Sequence, residues 1–458
     1  MKVINFDSLW AKKDQLEADL AENPIDIMMT CETHLAAGIH NSEILPQNYD
    51  AIRRDRNKDG RGGVAIIYRN DLKVKKIFES KKTELVAAEV QCQGKKPLIV
   101  AAVYRPPATG LPYMQELTSE IKELEKKYRS HAIWIGGDLN LPDINWEELE
   151  VTSSQYLREI STTFLDCLSE CNLEQAVHFP TRGENTLELI CTNRPGLVHK
   201  MLQTPGLSDH DTIPYAEIDC VAQVSRPVPR MVYLWNKADI ASMRQEIYTK
   251  TQEYIQTFNI TTPVEVLWSE FKNIIDTATN SFVPTKNISA RYTQPWFTRA
   301  CAHAIRQKKR AYRVAIRTKN PHDWARFNTL KKKAQKTCKL ANINYISSTV
   351  NKDHELNSKR FYAYLKTKKT DSNGITQLEE NGHVLQGSKD MANCLNRQFG
   401  SVFNKPTDTA PDLGPSSHQP MRDIIIEEEG VKKLLKQQKP GKAPGPDKIQ
   451  ARVLKEAA

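Results

Sequence analysis

Short apolar runs recur along the first half of the chain, each bounded by polar residues: "KVIN", "DIMMTC", "GGVAIIYR", "ELVAAEVQC", "KPLIVAAVY", "HAIWIGG" and "TLELICTN". Runs of this length without a polar face read as strands buried on both sides. Segments of helical character stand between them. "SLWAKKDQLEADLAE" opens on Ser8 and sets Leu9, Leu16 and Leu20 on one side, and "MQELTSEIKELEKKY" and "YLREISTTFLDCLSECNL" are two further helices. The mixture predicts an α/β or α+β domain whose sheets are covered by helices. Near "RPVPR", residues 226–230, the pattern turns mostly helical and polar. Residues 404–420 have the composition of a linker, and a last helix, "EEEGVKKLLKQQ", leads into "KPGKAPGPDK". That stretch lacks the spacing of a phosphate-binding loop and places prolines where N–H donors are needed. The tail from Glu427 is expected as frayed helix and loop.

A length of 458 residues allows two or three domains. Mean hydropathy is −0.56, and no apolar run approaches the roughly 18–20 residues that cross a bilayer. "MKVINFD" is too short and polar for a signal peptide, so an intracellular place, nucleus or cytoplasm, without a membrane partner is expected. Nine cysteines are scattered without CxxC spacing, and no zinc pattern follows Cys167 and Cys171, so reduced buried thiols are expected.

Charge divides the chain further. Residues 1–223 carry 25 Lys+Arg against 34 Asp+Glu, and the remainder 40 against 21. An acidic half and a basic half suggest distinct domains and a polyanionic partner for the second. Between residues 291 and 339 fifteen basic side chains stand against one acid, Asp323. Arg306, Lys308, Lys309, Arg310, Arg313, Lys331, Lys332 and Lys333 are among the fifteen. Trp296, Phe297, Tyr312, Trp324 and Phe327 are interleaved. Basic side chains with aromatics suit a nucleic-acid backbone and unpaired bases. The competing reading is a helical hairpin with an aromatic core and solvated charges.

Candidate chemistry gathers at strand ends, where side chains converge without loss of core: Glu32, Tyr104, Asp138 with Asn140, and Ser208-Asp209-His210. A hard cation such as Mg²⁺ takes oxygen ligands, which Glu32, Asp138 and Asp209 can supply. His210 can meet a phosphate oxygen or move a proton, and Asn140 can orient a water without adding charge. Singly, each has an ordinary structural reading as a cap, a turn or a strand exit.

Together "CETHL", "RDRNKDGRGGVAIIYR", "VYRPP", "GGDLNLPDINW", "NTLELICTNRP" and "LSDHD" resemble an endonuclease of the exonuclease–endonuclease–phosphatase superfamily, of the kind carried by jockey- and CR1-type non-LTR retrotransposons. The likeness covers about residues 1–220. It implies a DNase I-like, four-layer sandwich of two mixed β-sheets flanked by helices, with the site at one edge, followed here by a mostly helical basic region. It also implies Mg²⁺ or Mn²⁺, a DNA substrate and element RNA as partner. Carried over by residue, Asn5 positions metal and water, Glu32 binds metal and Tyr104 contacts the scissile phosphate. Asp138 and Asn140 activate and orient the attacking water, and Asp209 with His210 closes the site, Asp209 and Asp138 counting with Glu32 as metal ligands. Ser208 and Thr181 lie near the substrate phosphate. Downstream, "VYLWNKADIASMRQEI", "QPWFTRACAHAIRQKKRAYR" and "SKRFYAYLKTKK" look like the connector of such elements, and "VKKLLKQQKPGKAPGPDKIQARVLKEAA" like the start of a reverse transcriptase. The paired aspartates of a polymerase core do not occur in this sequence. The resulting division is nuclease 1–223, helical basic connector 224–403, flexible linker 404–426 and truncated polymerase start 427–458.

Two departures matter. The family reads "TLDL" where this chain has Glu188, so the carboxylate that orients the histidine stands one methylene further out. Misplacement by about 1 Å can cost on the order of 100-fold in rate, so reduced activity and a gain for Glu188→Asp are expected. "INFDS" puts Asp7 where the family tends to carry a basic side chain. The implied function is a metal-dependent phosphodiesterase that nicks DNA and leaves a 3′-hydroxyl to prime reverse transcription. The alternatives are an abasic-site nuclease or phosphoesterase on the same fold, and a weakened or inactive relic that binds nucleic acid through its basic connector.

Overall fold

In a computed structural model the apolar runs pair into two six-stranded mixed sheets. The structure describes residues 1–458 except 57–60, 153–154, 225–229, 260, 289–293, 357, 370–377, 382, 386–387, 404–413, 415–424 and 443. The expected linker, 404–426, and part of the "RDRNKDGRGG" motif therefore lie largely outside the described residues.

From the amino terminus the elements are β1 (Lys2–Asn5), α1 (Leu9–Glu22), β2 (Ile27–Cys31), α2 (Asn41–Ile44), β3 (Tyr49–Arg54), β4 (Val64–Arg69) and β5 (Val74–Glu79). Next come β6 (Glu84–Val90), β7 (Leu98–Tyr104), α3 (Leu111–Tyr128), β8 (Ala132–Asp138), β9 (Ile144–Asn145) and β10 (Glu150–Val151). Then follow α4 (Arg158–Glu170), β11 (Glu174–Gln175), β12 (Glu188–Thr192), β13 (Val198–Pro205) and β14 (Thr212–Ile218). Beyond these lie β15 (Arg230–Tyr233), α5 (Ile240–Thr257), α6 (Val264–Phe282), β16 (Thr285–Ile288), α7 (Arg299–Thr318), α8 (Pro321–Leu356) and α9 (Ser358–Lys369). The last elements are β17 (Leu378–Glu380), β18 (His383–Leu385), α10 (Ser388–Ser401), α11 (Glu428–Lys436) and α12 (Ala451–Ala457).

One sheet has the order β13-β14-β1-β2-β4-β3, the other β11-β12-β8-β7-β6-β5. Pairs β1–β2 and β7–β8 are parallel, the rest antiparallel. Alternation along each strand builds the layers. In β8, Trp134 enters the core between the sheets with Val3, Met29, Val86 and Val100. Its neighbours Ile133 and Ile135 join Met114, Leu117 and Ile121 of α3 and Phe164 of α4 on the outer face. On the far side Ile4, Met28 and Ile67 pack on Leu9, Leu16 and Leu20 of α1. Each fully buried Leu, Ile or Phe favours this arrangement by roughly 1.5–3 kcal/mol. The sandwich of two mixed sheets flanked by helices expected from the sequence is thus what the chain forms.

The two glycines of "IGGD" are explained by close approach. A Cβ on Gly136 would lie 2.6 Å from Met29 Cε and from Val3 Cγ2 of the opposite sheet, and one on Gly137 1.7 Å from the Val103 carbonyl oxygen. β8 therefore runs closest to its neighbours just where it delivers Asp138.

The chain divides into two compact units, residues 1–226 with 292–395, and residues 227–291 with 396–458. In the first, α7 and α8 form a hairpin closed at Lys319, which takes the left-handed conformation (φ 53°) before Pro321 opens α8. Small residues on the inner face of α7, Cys301, Ala302, Ala304 and Ala311, let it lie close to its neighbours. Trp296, Cys301, Ile305 and Cys338 pack on Ala18 of α1, and Tyr312, Phe327 and Trp324 cluster between α7 and α8. The aromatics of the basic segment are therefore core.

In the second unit β15 pairs with β16, and Met243, Ala278 and Val283 join α5 to α6. Ile449 and Val453 pack on Ile275, and Trp235 Nε1 donates to Gln450 Oε1 at 3.1 Å. The tail expected as frayed helix and loop is instead held at its end, because α12 presents apolar side chains that α6 buries. Among the described residues no helix is long and apolar enough to cross a membrane.

Candidate active site

Register brings the strand ends together. Asn5 ends β1 opposite Cys31, the last residue of its parallel neighbour β2, and Glu32 follows at once. In the other sheet Asp138, the last residue of β8, pairs with Tyr104 on one side and Glu188 on the other. Three functional side chains thus stand in one row, about 4.8 Å apart from strand to strand. Asn5 joins the sheets: its Nδ2 donates to Glu32 Oε1 and to Asp138 Oδ2, both at 2.8 Å. The Tyr104 hydroxyl donates to the same Glu32 Oε1 at 3.0 Å.

The turns leaving these strands are strained. Asp7, Ser8, Glu32 and His34 all have positive φ (41°, 80°, 48° and 50°), a conformation that costs on the order of 1 kcal/mol or more for a residue with a Cβ. Backbone bonds hold them there: Ser8 N–H to the Glu32 carbonyl at 2.9 Å, Leu9 N–H to that of Thr33 at 3.0 Å and His34 N–H to that of Gly62 at 2.9 Å. As a result the donor atoms of Asp7, Glu32 and His34 lie within 4.8 Å of one another.

Asp138 is fully buried. Its Oδ1 accepts from Asn140 N–H at 3.0 Å, and its own N–H donates to Cys31 Sγ at 3.2 Å. Burial, and then the charge of Glu188, raise its pKa to about 7, against the opposing pull of His210, Asn5 and the Asn140 N–H. Cys31 donates to the Val103 carbonyl at 3.2 Å, and burial beside Asp138 keeps it a thiol. Asn140 takes a left-handed turn (φ 47°) that asparagine tolerates, and its Nδ2 donates to the Arg105 carbonyl at 2.8 Å.

His210 lies in the loop before β14. Its Nδ1 contacts Glu188 Oε1, and its Nε2 stands 4.0 Å from Asp138 Oδ2 and 3.9 Å from Asp209 Oδ1. Burial alone would lower the imidazole pKa, but the contact and charge of Glu188, followed by Asp138 and Asp209, raise it instead. The loop is tight, since a Cβ on Gly206 would fall 1.8 Å from the His210 carbonyl oxygen. The Ser208 hydroxyl ties it to β1, donating to the Asn5 carbonyl at 2.7 Å and accepting from His210 N–H at 3.3 Å.

The structure thus gathers Asn5, Glu32, Tyr104, Asp138, Asn140, Glu188, Ser208 and His210. Asp209 is half exposed and pairs with Arg182 at 2.6 Å, and Thr181 is buried with its hydroxyl accepting from the N–H groups of Leu187 and Glu188. Among the described residues two donor groups could hold a cation: Asp7, Glu32 and His34 at the rim, and Asp138, Glu188 and His210 within. Glu188 faces His210, and the Asn5 amide lies between one oxygen of Glu32 and one of Asp138, so these two carboxylates offer hard oxygen donors on either side of it, with Asp7 beside Glu32. That donor set fits Mg²⁺ or Mn²⁺.

Of the eight basic residues read as nucleic-acid contacts, three form ion pairs within the protein, and of these only Lys308 and Lys331 are covered. Lys308 pairs with Asp19 at 3.0 Å and is fully buried, Arg306 pairs with Glu22 at 3.6 Å, and Lys331 with Asp211 at 3.3 Å. Lys309 is partly buried, and Arg310, Arg313, Lys332 and Lys333 are exposed.

Arg105 was not singled out by sequence. Buried after Tyr104, it donates to the carbonyls of Asn140 at 2.9 Å and Thr109 at 2.8 Å, and its guanidinium stacks 4.8 Å from the Tyr156 ring. Its one signal was its place in "VYRPP", directly after a site residue.

A family model described as endonuclease-reverse transcriptase matches residues 98–214, a span that includes Tyr104, Asp138, Asn140, Glu188 and His210. Solved structures similar to this chain include the endonuclease domain of TRAS1, a telomere-specific non-LTR retrotransposon (15% identity, 48% of this chain and 97% of that one, TM-score 0.38). Others are an AP endonuclease from Archaeoglobus fulgidus (16%, 48% and 98%, 0.37) and the APE2 catalytic domain of Xenopus laevis (15%, 50% and 94%, 0.37). No curated protein matches the chain.

Proposed function

We propose that this chain is a divalent-metal-dependent DNA endonuclease of the exonuclease–endonuclease–phosphatase type, from a jockey- or CR1-like non-LTR retrotransposon. It nicks one strand and leaves a 3′-hydroxyl that primes reverse transcription. The observation that carries the reading is the Asn5 amide shared between Glu32 and Asp138, with the Glu188–His210 pair 4.0 Å from Asp138. The endonuclease-reverse transcriptase match over residues 98–214 supports it.

Asp138, with a pKa near neutrality, suits removal of a proton from the attacking water. Asn140, fixed by its bonds to Asp138 and Arg105, orients that water. Oxygen adds to phosphorus as the bond to the 3′-oxygen breaks, and that oxygen takes up a proton. His210, whose protonated form the Glu188 carboxylate favours, meets a phosphate oxygen, and Tyr104, anchored on Glu32, contacts the scissile group. Glu32 and Asp138, with Asp209 as a further acidic group, would hold a divalent ion such as Mg²⁺ or Mn²⁺, which would supply charge neutralisation at the phosphate. Ser208 and Thr181 set the loops that carry His210 and Glu188.

The same reading assigns residues 1–223 to the nuclease, 224–403 to a connector, 404–426 to a linker and 427–458 to the start of a reverse transcriptase. It makes element RNA a second partner and places the protein inside the cell, in nucleus or cytoplasm. The alternative of a silent relic drew on Glu188, and the contact of Glu188 with His210 weighs against it. The test is supercoiled plasmid with Mg²⁺, the full chain beside Asp138→Ala and His210→Ala. Relaxed circles from the unaltered chain alone are expected; absence of nicking by a folded chain refutes the reading.

A further inference from the structure

The cations of the α7–α8 hairpin are sorted by face. On the inner face Lys308 meets Asp19 of α1, while Arg306, itself exposed, reaches the edge of α1 at Glu22. Lys331 meets Asp211, and the Tyr312 hydroxyl lies 2.8 Å from Thr212 Oγ1. Asp211 and Thr212 directly follow His210, so the hairpin abuts the loop that carries the histidine. Arg310 and Arg313 flank this contact on α7, Lys332 and Lys333 on α8. All four are exposed, and none forms an ion pair among the described residues. No acid interrupts α7 from Arg299 to Thr318. Like charges at helical spacing repel one another, so this face carries an unrelieved positive potential beside the candidate site.

We propose that the outer face of the α7–α8 hairpin is a track for the backbone of duplex DNA, continuous with the candidate active site. The partner rests on the nuclease reading, and its duplex form on the aromatics. A reader of single strands stacks bases on exposed rings. Here Tyr312 and Phe327 are buried, and Trp324 packs against both at 6.2 and 5.7 Å. Around Arg310, Arg313, Lys332 and Lys333 these rings are turned inward and the cations outward, which suits phosphates at fixed spacing.

The test uses the full chain and a short labelled duplex, with anisotropy read across a salt series. Replacing Arg310, Arg313, Lys332 and Lys333 by alanine removes four unpaired surface charges. The expected result is at least about a tenfold weaker Kd at low salt, with the slope of log K against log salt smaller by about three to four. A variant with Arg310→Lys and Arg313→Lys keeps the charge and should keep the affinity; equal unfolding midpoints show that both variants fold. Unchanged affinity and slope for the alanine variant overturn the proposal. So does a variant that loses single-stranded RNA while holding duplex as before. Binding is read without cleavage, so a chain that binds duplex through this face and never nicks retains the track and loses only the nuclease reading.

Discussion

Glu188 Oε1 rests against His210 Nδ1, although the glutamate is one methylene longer than the aspartate expected there. Glu188 stands opposite Asp138 in the pairing of β12 with β8, so its carboxylate reaches His210 from the strand end beside that aspartate. Sequence likeness predicts a gain for Glu188→Asp. With the contact already made, the shorter side chain would withdraw its oxygen, so the expected direction reverses: nicking falls, by up to about 100-fold. Equal or higher single-turnover rates for Glu188→Asp would refute the orienting role.

The same contact sets a proton equilibrium. His210 has a pKa raised above 6.5. Its contribution to stability is therefore complete below pH 6.5 and is lost as pH rises through the folded value. Glu188→Gln removes the charge that raises it, while burial and the other carboxylates remain. The imidazole signals of His210, followed by NMR, should titrate at lower pH in Glu188→Gln. A midpoint that stays or rises contradicts the assignment.

Asn5 donates to two carboxylates at once. Asn5→Asp replaces that donor with a third carboxylate of nearly the same shape, setting like charges together in a buried place. Urea unfolding at neutral pH should show a loss of about 1–3 kcal/mol, and nicking should vanish. A variant of unchanged stability would mean that the amide does not hold Glu32 and Asp138 together.

The glycines before Asp138 make a graded prediction. Gly136→Ala presses on the side chains of Met29 and Val3 and should cost about 1–3 kcal/mol, recovered in part by Val3→Ala. Gly137→Ala meets the Val103 carbonyl, which cannot turn away, and should cost more. Thermal unfolding of the three variants orders them; equal losses at 136 and 137 would dispose of the close-approach account.

Lys331 pairs with Asp211, the residue after His210, and a positioning role for that pair makes a kinetic prediction. Lys331→Ala should lower kcat with little change in KM, and Lys331→Arg should restore it. A rise in KM alone would place Lys331 on the substrate instead.

Much of the site was legible because its pieces are local: an apolar run that ends in Asp138, an asparagine closing β1, a histidine in a tight loop. The convergence itself was supplied by likeness rather than by spacing. What the sequence concealed was which cations serve the protein itself. Lys308 and Asp19 are 289 positions apart, and nothing in helical periodicity distinguishes Lys308 from Lys309 until α1 is laid against α7. Thr181 was named from likeness, but its bonds were concealed for the same reason: only the fold shows its hydroxyl engaged with the start of β12. Arg105 follows a recognised tyrosine, but its carbonyl partners appear only once the loop after β8 has turned.

The discontinuity of the first unit bears on how the protein is made. Trp296 donates to Glu17 across 279 residues, so α1 leaves the ribosome long before its cover does. Until α7 and α8 emerge, Ala18 and its acidic neighbours face solvent, and the sheets must assemble around an unfinished outer layer. Closing so long a loop carries a modest entropic cost that grows only with the logarithm of its length, but it delays completion. A chain severed after residue 223 would keep every residue of the candidate site and stay in that nascent state, open to chaperones and to association.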